Sequence, residues 1–185
     1  MKSATAGIAG GLSALALAGV SAFSPLAPGA LTDVAAIQEI TAYMSEKVSS
    51  ATDSPISSAA SSQRTPELQA ELDRTKQAVR RNRAGSSSYP YASAHVTVTL
   101  PGWRPLQQGA DHATVTARIL TSYIWTTRAS QGSPTETGEA YDELFEFERR
   151  EGAWLLSGEQ LLPASGSDQG FLPLIDTMAM YPAER

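Results

Sequence analysis

Apolar residues recur at two different periods along the chain, and the change of period separates a helical part from a strand part. Over residues 34–48 they recur every three or four positions behind Thr32 and Asp33, which predicts an amphipathic helix with an N-terminal cap. A second helix is predicted over 66–84, because Thr65 can cap it and Pro66 suits its first position. After residue 94 apolar and polar positions alternate, which is typical of strands.

Four strands are predicted, at about 95–100, 112–127, 141–148 and 154–162, and turns rich in glycine and proline join them. Strands joined in this way form an antiparallel sheet, and one of its faces needs a cover. The two helices precede all the strands, so they can provide that cover. The sequence therefore predicts an α+β fold in which two N-terminal helices pack on a four-stranded antiparallel sheet.

The predicted core joins the apolar stripes of both helices to the inner face of this sheet. Its members are Val34, Ile37, Ile40, Met44, Leu68, Leu72, Val96, Val98, Val115, Ile119, Tyr123, Trp125, Phe145, Phe147, Trp154 and Leu156.

The N-terminus has the order of a secretory signal. Lys2 is the single charge in residues 1–22, and an uncharged run of Ala, Gly, Leu and Ser follows it. The run is shorter than the roughly 20 apolar residues that a membrane span needs, and small residues precede a cleavage position after Ala22. Cleavage near Ala30 and a retained membrane anchor are the alternatives. We expect a signal peptide over 1–22, a flexible N-terminus over 23–33, an α+β domain over 34–162 with a Ser-rich linker at 49–62, and a C-terminal tail over 163–185.

Composition excludes several classes of function. A formal net charge of −5 and a pI of about 5.0 argue against a nucleic-acid partner, since a basic excess is needed to displace phosphate counterions. The chain has no cysteine, which excludes disulfides, thiolate zinc sites and cysteine nucleophiles. With only two histidines, we expect no metal site and no cofactor. After signal cleavage we expect a secreted protein without stable membrane insertion.

The two histidines are the candidates for catalysis. His112 follows Asp111 in a predicted turn, where a carboxylate can orient an imidazole as a general base. His95 lies on the polar face of its strand and would line a sheet-floored pocket if that face also carried Tyr123, Trp125 and Tyr141. The pattern favours the plainer interpretation that both are ordinary surface or half-buried histidines.

Five carboxylates fall within ten residues of the third predicted strand. They are Asp142, Glu143, Glu146, Glu148 and Glu151. Such a set could bind Ca²⁺ or supply paired acid and base groups. Strand alternation instead favours a solvated, charged face for most of them.

The C-terminal tail regains apolar residues just before the chain ends. Phe171, Leu174, Ile175, Met178 and Tyr181 could share one side of a short helix, which is the pattern of a partner-binding segment. The expected partner is another exported protein or a cell-wall component. Packing of the segment onto its own domain is the favoured alternative.

Two segments carry a family resemblance. The helix pair, followed by Gly109–Val115 and by the Phe147–Leu156 hairpin with its turn glycine and Trp154, resembles cystatin-like or NTF2-like α+β domains. The order of elements over residues 34–162 is similar to the N-terminal accessory region of secreted Gram-positive proteins that carry a putative amidase domain. The amidase part of that family uses a cysteine nucleophile, so the resemblance implies a non-catalytic role for this chain.

Taken with that resemblance, the residues favour a secreted, non-enzymatic interaction or accessory module of the bacterial cell envelope or secretome. The alternative is a small NTF2-like enzyme in which His95 or His112 is the general base of a sheet-floored pocket.

Overall fold

The computed structural model describes residues 29–52, 62–84, 91–125, 136–163 and 172–180, without the side chains of Trp125 and Glu136. The predicted signal peptide and most of the predicted linker lie outside these ranges. The helices and strands that it places are α1 (Asp33–Ser49), α2 (Pro66–Ala84), β1 (Tyr91–Thr99), β2 (Gln107–Gln108), β3 (His112–Trp125), β4 (Glu136–Arg150), β5 (Ala153–Leu161) and α3 (Leu174–Met180).

Both predicted helix starts are confirmed. The Thr32 hydroxyl accepts the Ala35 backbone N–H at 3.2 Å, and the Thr65 hydroxyl accepts the Leu68 backbone N–H at 3.3 Å. Each bond satisfies one of the backbone donors that a helix leaves unpaired in its first turn.

The strands form one antiparallel sheet in the order β1-β3-β4-β5, and the short β2 pairs with β3 along the same edge as β1. The β4–β5 hairpin turns at Glu151 and Gly152, whose φ angles are 52° and 84°. Two successive positive φ angles match the tight turns that twist with a hairpin, and glycine adopts them without strain. The predicted α+β class, helices on an antiparallel sheet, is confirmed, and β2 is an addition to the four predicted strands.

The main core lies between the helices and the inner face of the sheet. Trp154 is 1% exposed, and its indole N–H donates to the Gly29 backbone oxygen at 2.9 Å. Of the predicted core, Ile37 and Val96 are partly buried, and the side chain of Trp125 lies outside the described residues. The other predicted members are buried except Val34. The buried set is Ile40, Met44, Leu68, Leu72, Val98, Val115, Ile119, Tyr123, Phe145, Phe147, Trp154 and Leu156.

Val34 is 65% exposed, so its assignment to the core is wrong. The reason is a rotation of α1 about its axis. Residues on a helix follow one another at about 100°, and the buried face of α1 is centred near Ala36, Tyr43 and Lys47, almost opposite Val34. Buried polar side chains share this face, because Glu39 is 3% and Lys47 is 4% exposed.

The C-terminal tail folds back onto the domain through α3. Ile175 and Met178 are fully buried in a second apolar cluster. The Asn82 side chain of α2 donates to the Met178 backbone oxygen at 2.7 Å and to the Ala179 oxygen at 3.3 Å. Both the side chains and the backbone oxygens of α3 therefore contact the domain.

The ends of the predicted linker are buried where the structure describes them. Ser49 is the last residue of α1, Ser50, Ala51 and Thr52 are buried behind it, and Ser62 is buried before α2. Residues 53–61 lie outside the described ranges.

Candidate functional site

A buried carboxylate interrupts the apolar inner face of β4. Tyr141, Glu143, Phe145 and Phe147 alternate along the strand and are all buried, and Glu143 is 2% exposed. A carboxyl group in such a position costs free energy unless it is neutral, paired or hydrogen-bonded. The charged and polar groups around Glu143 therefore determine whether its carboxyl group is protonated.

Lys47 supplies the positive charge at this point. Its Nζ lies 2.9 Å from Oε1 of Glu159 on β5 and 3.0 Å from Oδ1 of Asp176 on α3. Tyr43, one turn earlier on α1, donates its hydroxyl to the same Glu159 oxygen at 2.9 Å. We name this group the Lys47 cluster; its members are Tyr43, Lys47, Glu143, Glu159 and Asp176. The Lys47 cluster brings together α1, α3 and the strands β4 and β5.

Negative groups outnumber positive ones in the Lys47 cluster. Burial raises the pKa of Glu143 to about 8, the neighbouring Glu159 adds to the rise, and Lys47 opposes it. The second oxygens of Glu143 and Glu159 are buried and accept no hydrogen bond from the described residues. Burial and the excess of negative charge therefore favour the protonated form of Glu143.

Lys47 and Tyr43 hold their protons firmly. Burial alone would lower the pKa of Lys47, but the carboxylates of Glu159 and Asp176 outweigh it and keep that pKa well above its usual range. Burial and the charge of Glu159 raise the pKa of the Tyr43 phenol. Neither group is available as a base or nucleophile near neutral pH, so the cluster can pair and position charges but has no free amine for covalent catalysis.

Another carboxylate, Glu139, binds the start of α3. Its Oε2 accepts the Leu174 backbone N–H at 2.9 Å, and the Tyr123 hydroxyl lies 3.5 Å from its Oε1. Burial raises the pKa of Glu139, while the Leu174 bond opposes the rise. Two acids of the sheet therefore hold α3, Glu139 directly and Glu159 through the shared ammonium of Lys47.

A second ionic group, which we name the Glu46 cluster, lies beside the first. Glu46 of α1 binds the Arg64 guanidinium and also accepts from Lys76 Nζ at 2.7 Å. The Arg64 guanidinium carbon lies 5.6 Å from the centre of the Tyr43 ring. Burial would raise the pKa of Glu46, but the bonds from Lys76 and Arg64 outweigh it and hold that pKa below its usual value.

The structure does not bring the candidate histidines into a pocket with the tyrosines. His95 is exposed and pairs across the sheet with Ser122, whereas its neighbour Ala94 pairs with the buried Tyr123. Strand alternation therefore puts His95 on the outer face and Tyr123 and Tyr141 on the inner one. His112 and Asp111 are exposed at the start of β3.

The five carboxylates of β4 and its turn divide between the two faces. Glu146 and Glu151 are exposed, and Asp142 and Glu148 are half-buried next to Arg118 and Arg150, as the solvated-face interpretation predicts. Glu143 is the exception to that interpretation, which covered most of the five, because it shares the inner face with Phe145. Among the described residues no group of three acids or histidines could hold a metal ion.

The predicted partner-binding residues lie in different environments. Ile175 and Met178 are buried in the domain itself, and Leu174 is partly buried. Phe171 and Tyr181 lie outside the described residues. Partner binding through this segment stays a prediction.

A groove opens on the outer face of the sheet, under the connection from β1 to β2. It has a volume of about 310 Å³, and its walls and floor are formed by Trp103, Arg104, Pro105, Gln107, Thr114, Thr116 and Leu144. Trp103 is 65% exposed, and the Arg104 guanidinium carbon lies 4.6 Å from its ring centre. A smaller hollow of about 260 Å³ continues from Gln107 toward His112. We name the first hollow the outer groove.

No protein-family model and no curated protein matches this sequence. The solved structures that it resembles include the Kfla4162 protein from Kribbella flavida, with 18% identity and a TM-score of 0.37 over 49% of this chain and 55% of that one. They also include the intermembrane space region of chloroplast protein ARC6, with 14% identity and a TM-score of 0.36 over 74% of this chain and 100% of that one. A nuclear transport factor 2-like (NTF2-like) superfamily protein from Salmonella enterica serovar Typhimurium has 10% identity and a TM-score of 0.34 over 76% of this chain and 100% of that one.

The pattern of large apolar residues did not predict the Lys47 cluster, because its members are polar. A usable signal was present on both elements. Glu39, Tyr43 and Lys47 follow one another at intervals of four, so they share a helix face. Glu143 is in phase with Tyr141 and Phe145, which marks it as an inward carboxylate.

Proposed function

We propose that this protein is an exported, non-enzymatic interaction module, accessory to the bacterial cell envelope or secretome, and that it binds its partner at the outer groove. The observation that carries the proposal is the exposed indole of Trp103 beside a solvent-open groove. Tryptophan and arginine are the residue types that most often dominate binding energy at protein interfaces.

The environment of Trp103 favours recognition over a structural role. The indole leaves 65% of its surface in water, and Arg104 stacks on it without burying it. Leu144 and two threonines on the floor of the groove offer apolar contact beside hydroxyl groups. A surface with an aromatic centre and a polar rim suits a protein or wall-polymer partner.

The chemistry of the interior gives the enzyme alternative less support. The ammonium of Lys47 is held by two carboxylates, and the phenol of Tyr43 is held by Glu159. His112 borders the smaller outer hollow, but its cross-strand neighbour Glu148 is bound to Arg150. A general base needs an orienting partner and a substrate position within hydrogen-bond reach.

Site-specific crosslinking in the exporting host tests the interaction site. A photo-reactive amino acid replaces Gln107, which lines the outer groove, in one variant and Gln77, which is exposed on α2, in the control. Trp103 stays in place in both variants, because it carries the proposed contact. We expect a discrete crosslinked species at position 107 and none at position 77. Equal crosslinking at both positions, or none at position 107, would contradict the proposed site.

Export is tested separately by N-terminal sequencing of the protein from culture medium. The proposal expects a mature chain that begins near Phe23. An intact Met1 in the cytosolic fraction would remove the exported part of the proposal and leave the binding site to be judged by crosslinking.

A further inference from the structure

The binding of α3 to the domain combines an apolar floor with three polar contacts. Ile175 and Met178 enter a groove that we name the α3 groove, whose floor is Val48, Ala51, Val79, Tyr91, Ala94 and Tyr123. Glu139 accepts the Leu174 backbone N–H, Asn82 donates to the last carbonyls of α3, and Lys47 pairs with Asp176. The groove therefore recognises both ends of the helix and one acid within it.

The acid that α3 brings enters a cluster that already has an excess of negative charge. Glu143 is faced by Glu139 and Tyr141 of its own strand, by Glu159 of β5, by Lys47 and Tyr43 of α1, and by Asp176 of α3. Lys47 is the one cation in this set. If Glu143 ionises, Asp176 lies near another uncompensated carboxylate in a site screened poorly by water.

We propose that α3 docks reversibly in the α3 groove and that protonation of Glu143 controls this docking, so that ionisation of Glu143 releases the helix and uncovers the groove.

Proton binding and helix docking support each other through linkage. Docked α3 brings Asp176 into the Lys47 cluster, 3.0 Å from Lys47, and the charge of Asp176 adds to the burial and the Glu159 charge that raise the pKa of Glu143 to about 8 in the docked state. By reciprocity, a proton on Glu143 must favour docking by the same factor. Because the docked-state pKa is raised, docking is strongest at low pH and weakens as the pH rises toward about 8, by up to about tenfold per pH unit.

The length of α3 makes a reversible transition realistic. It has seven residues, and isolated helices of fewer than about 12 residues are marginal in water. Release from the groove is therefore expected to unfold α3 as well, so its amide protons report docking directly. The main apolar cluster contains no residue of α3, so release of α3 removes no contact from it.

Hydrogen exchange measured by mass spectrometry on the full chain tests the proposal. Protection of residues 174–180, corrected for the intrinsic pH dependence of exchange, is compared from pH 6 to pH 9 in the wild type, in Glu143→Gln and in Glu146→Gln. Glu146 is the matched control, since it lies on the same strand but is exposed on the outer face. We expect protection to fall between tenfold and a hundredfold from pH 6 to 8 in the wild type and in E146Q, and to stay level in E143Q.

Constant protection of α3 in the wild type, or an unchanged pH dependence in E143Q, would overturn the proposal. If E143Q does not fold, the carboxyl ¹³C chemical shift of Glu143 is measured against pH in the wild type instead. It must titrate over the same pH interval in which α3 loses protection. Ionisation of Glu143 that is already complete at pH 6 would also overturn the proposal.

Discussion

Two neighbouring residues of α1, Glu46 and Lys47, anchor ionic clusters with opposite charge balance. In the Glu46 cluster one carboxylate is bound by two cations, Arg64 and Lys76. In the Lys47 cluster one ammonium is shared by carboxylates, two of which lie within 3.0 Å of it. Burial acts in the same direction on both carboxyl groups, yet the pKa of Glu46 is lowered and that of Glu143 is raised. Burial is the largest cause of the raised pKa of Glu143, whereas at Glu46, whose side chain is 25% exposed, the bonds from two cations outweigh burial.

The two clusters also connect different parts of the chain. The Glu46 cluster joins α1 to the start and middle of α2, through Arg64 and Lys76. The Lys47 cluster joins α1 to the sheet and to the C-terminal α3. The first is therefore expected to stabilise the helix pair at all pH values above the acid range, whereas the second makes attachment of the tail depend on pH.

The largest effect is expected from removal of the central ammonium. Lys47→Met keeps the length of the side-chain stem but leaves Glu159 and Asp176 without a counter-ion, in a site where only 5% of the Lys47 side chain is exposed. Removing one partner of a buried ion pair costs about 3–5 kcal/mol, since the other charge stays buried. Urea denaturation at pH 7 measures this as a lower free energy of unfolding.

Lys76→Met is the matched control in the other cluster. Lys76 is 18% exposed, and Arg64 still neutralises Glu46 in its absence. We expect a loss of about 1 kcal/mol or less. Similar losses for the two variants would mean that the charge balance of the clusters does not matter.

The next effect is a pH dependence of opposite sign in the two clusters. The pKa of Glu143 is raised from 4.5 to about 8, so its stabilising contribution is complete below about pH 4.5 and is lost progressively as the pH rises to about 8. The pKa of Glu46 is lowered, so its contribution is present above its usual pKa and is lost as the pH falls. Urea denaturation of the wild type and Glu143→Gln at each pH from 3 to 9 separates the two, because the Glu46 contribution changes only at the acid end of this range.

The stability of E143Q minus that of the wild type should grow by up to about 1.4 kcal/mol per pH unit between pH 6 and 8. Above pH 9 the difference should become constant. Parallel curves for the two proteins would show that Glu143 is ionised throughout this interval.

The sequence predicted the fold better than the site because the two depend on different signals. Cap residues, turn glycines and the change of period are local, and they predicted α1, α2 and the four long strands, although β1 begins at Tyr91 and β4 at Glu136, earlier than the predicted starts at 95 and 141. The Lys47 cluster depends on which faces meet in space. Glu159 and Asp176 come near Lys47 only after β5 and α3 fold against α1, and no local pattern specifies that contact. The error at Val34 has the same origin, since the face of α1 that meets the sheet, with Glu39 and Lys47 buried in it, is set by tertiary contacts.

A smaller loss is expected when the Glu46 carboxylate is neutralised. Glu46→Gln keeps one carbonyl acceptor for Arg64 and Lys76 but removes the negative charge between them. We expect a decrease of about 1–2 kcal/mol in the free energy of unfolding at pH 7, because hydrogen bonds to charged groups contribute in this range. The acid-side loss of stability should also become shallower than in the wild type.

Glu67→Gln is the control for that variant. Glu67 lies in the first turn of α2, its side chain is 73% exposed, and it is 3.6 Å from Arg150. It should change stability by less than about 0.5 kcal/mol. An equal effect at positions 46 and 67 would show that partial burial adds nothing to the Glu46 cluster.

The smallest effect is expected on the outer face of the sheet. Arg118 and Asp142 are 3.9 Å apart, with side chains 55% and 29% exposed. Water screens such a pair, and holding a long side chain in one geometry costs entropy, so a double-mutant cycle with Arg118→Ala and Asp142→Ala should give a coupling below about 0.5 kcal/mol. The same cycle with Lys47→Met and Asp176→Asn should give a coupling several times larger, because their atoms lie 3.0 Å apart with Lys47 almost fully buried. If the two couplings were equal, burial would not distinguish the inner face from the outer one, and the contrast between the Lys47 cluster and ordinary surface charge would fail.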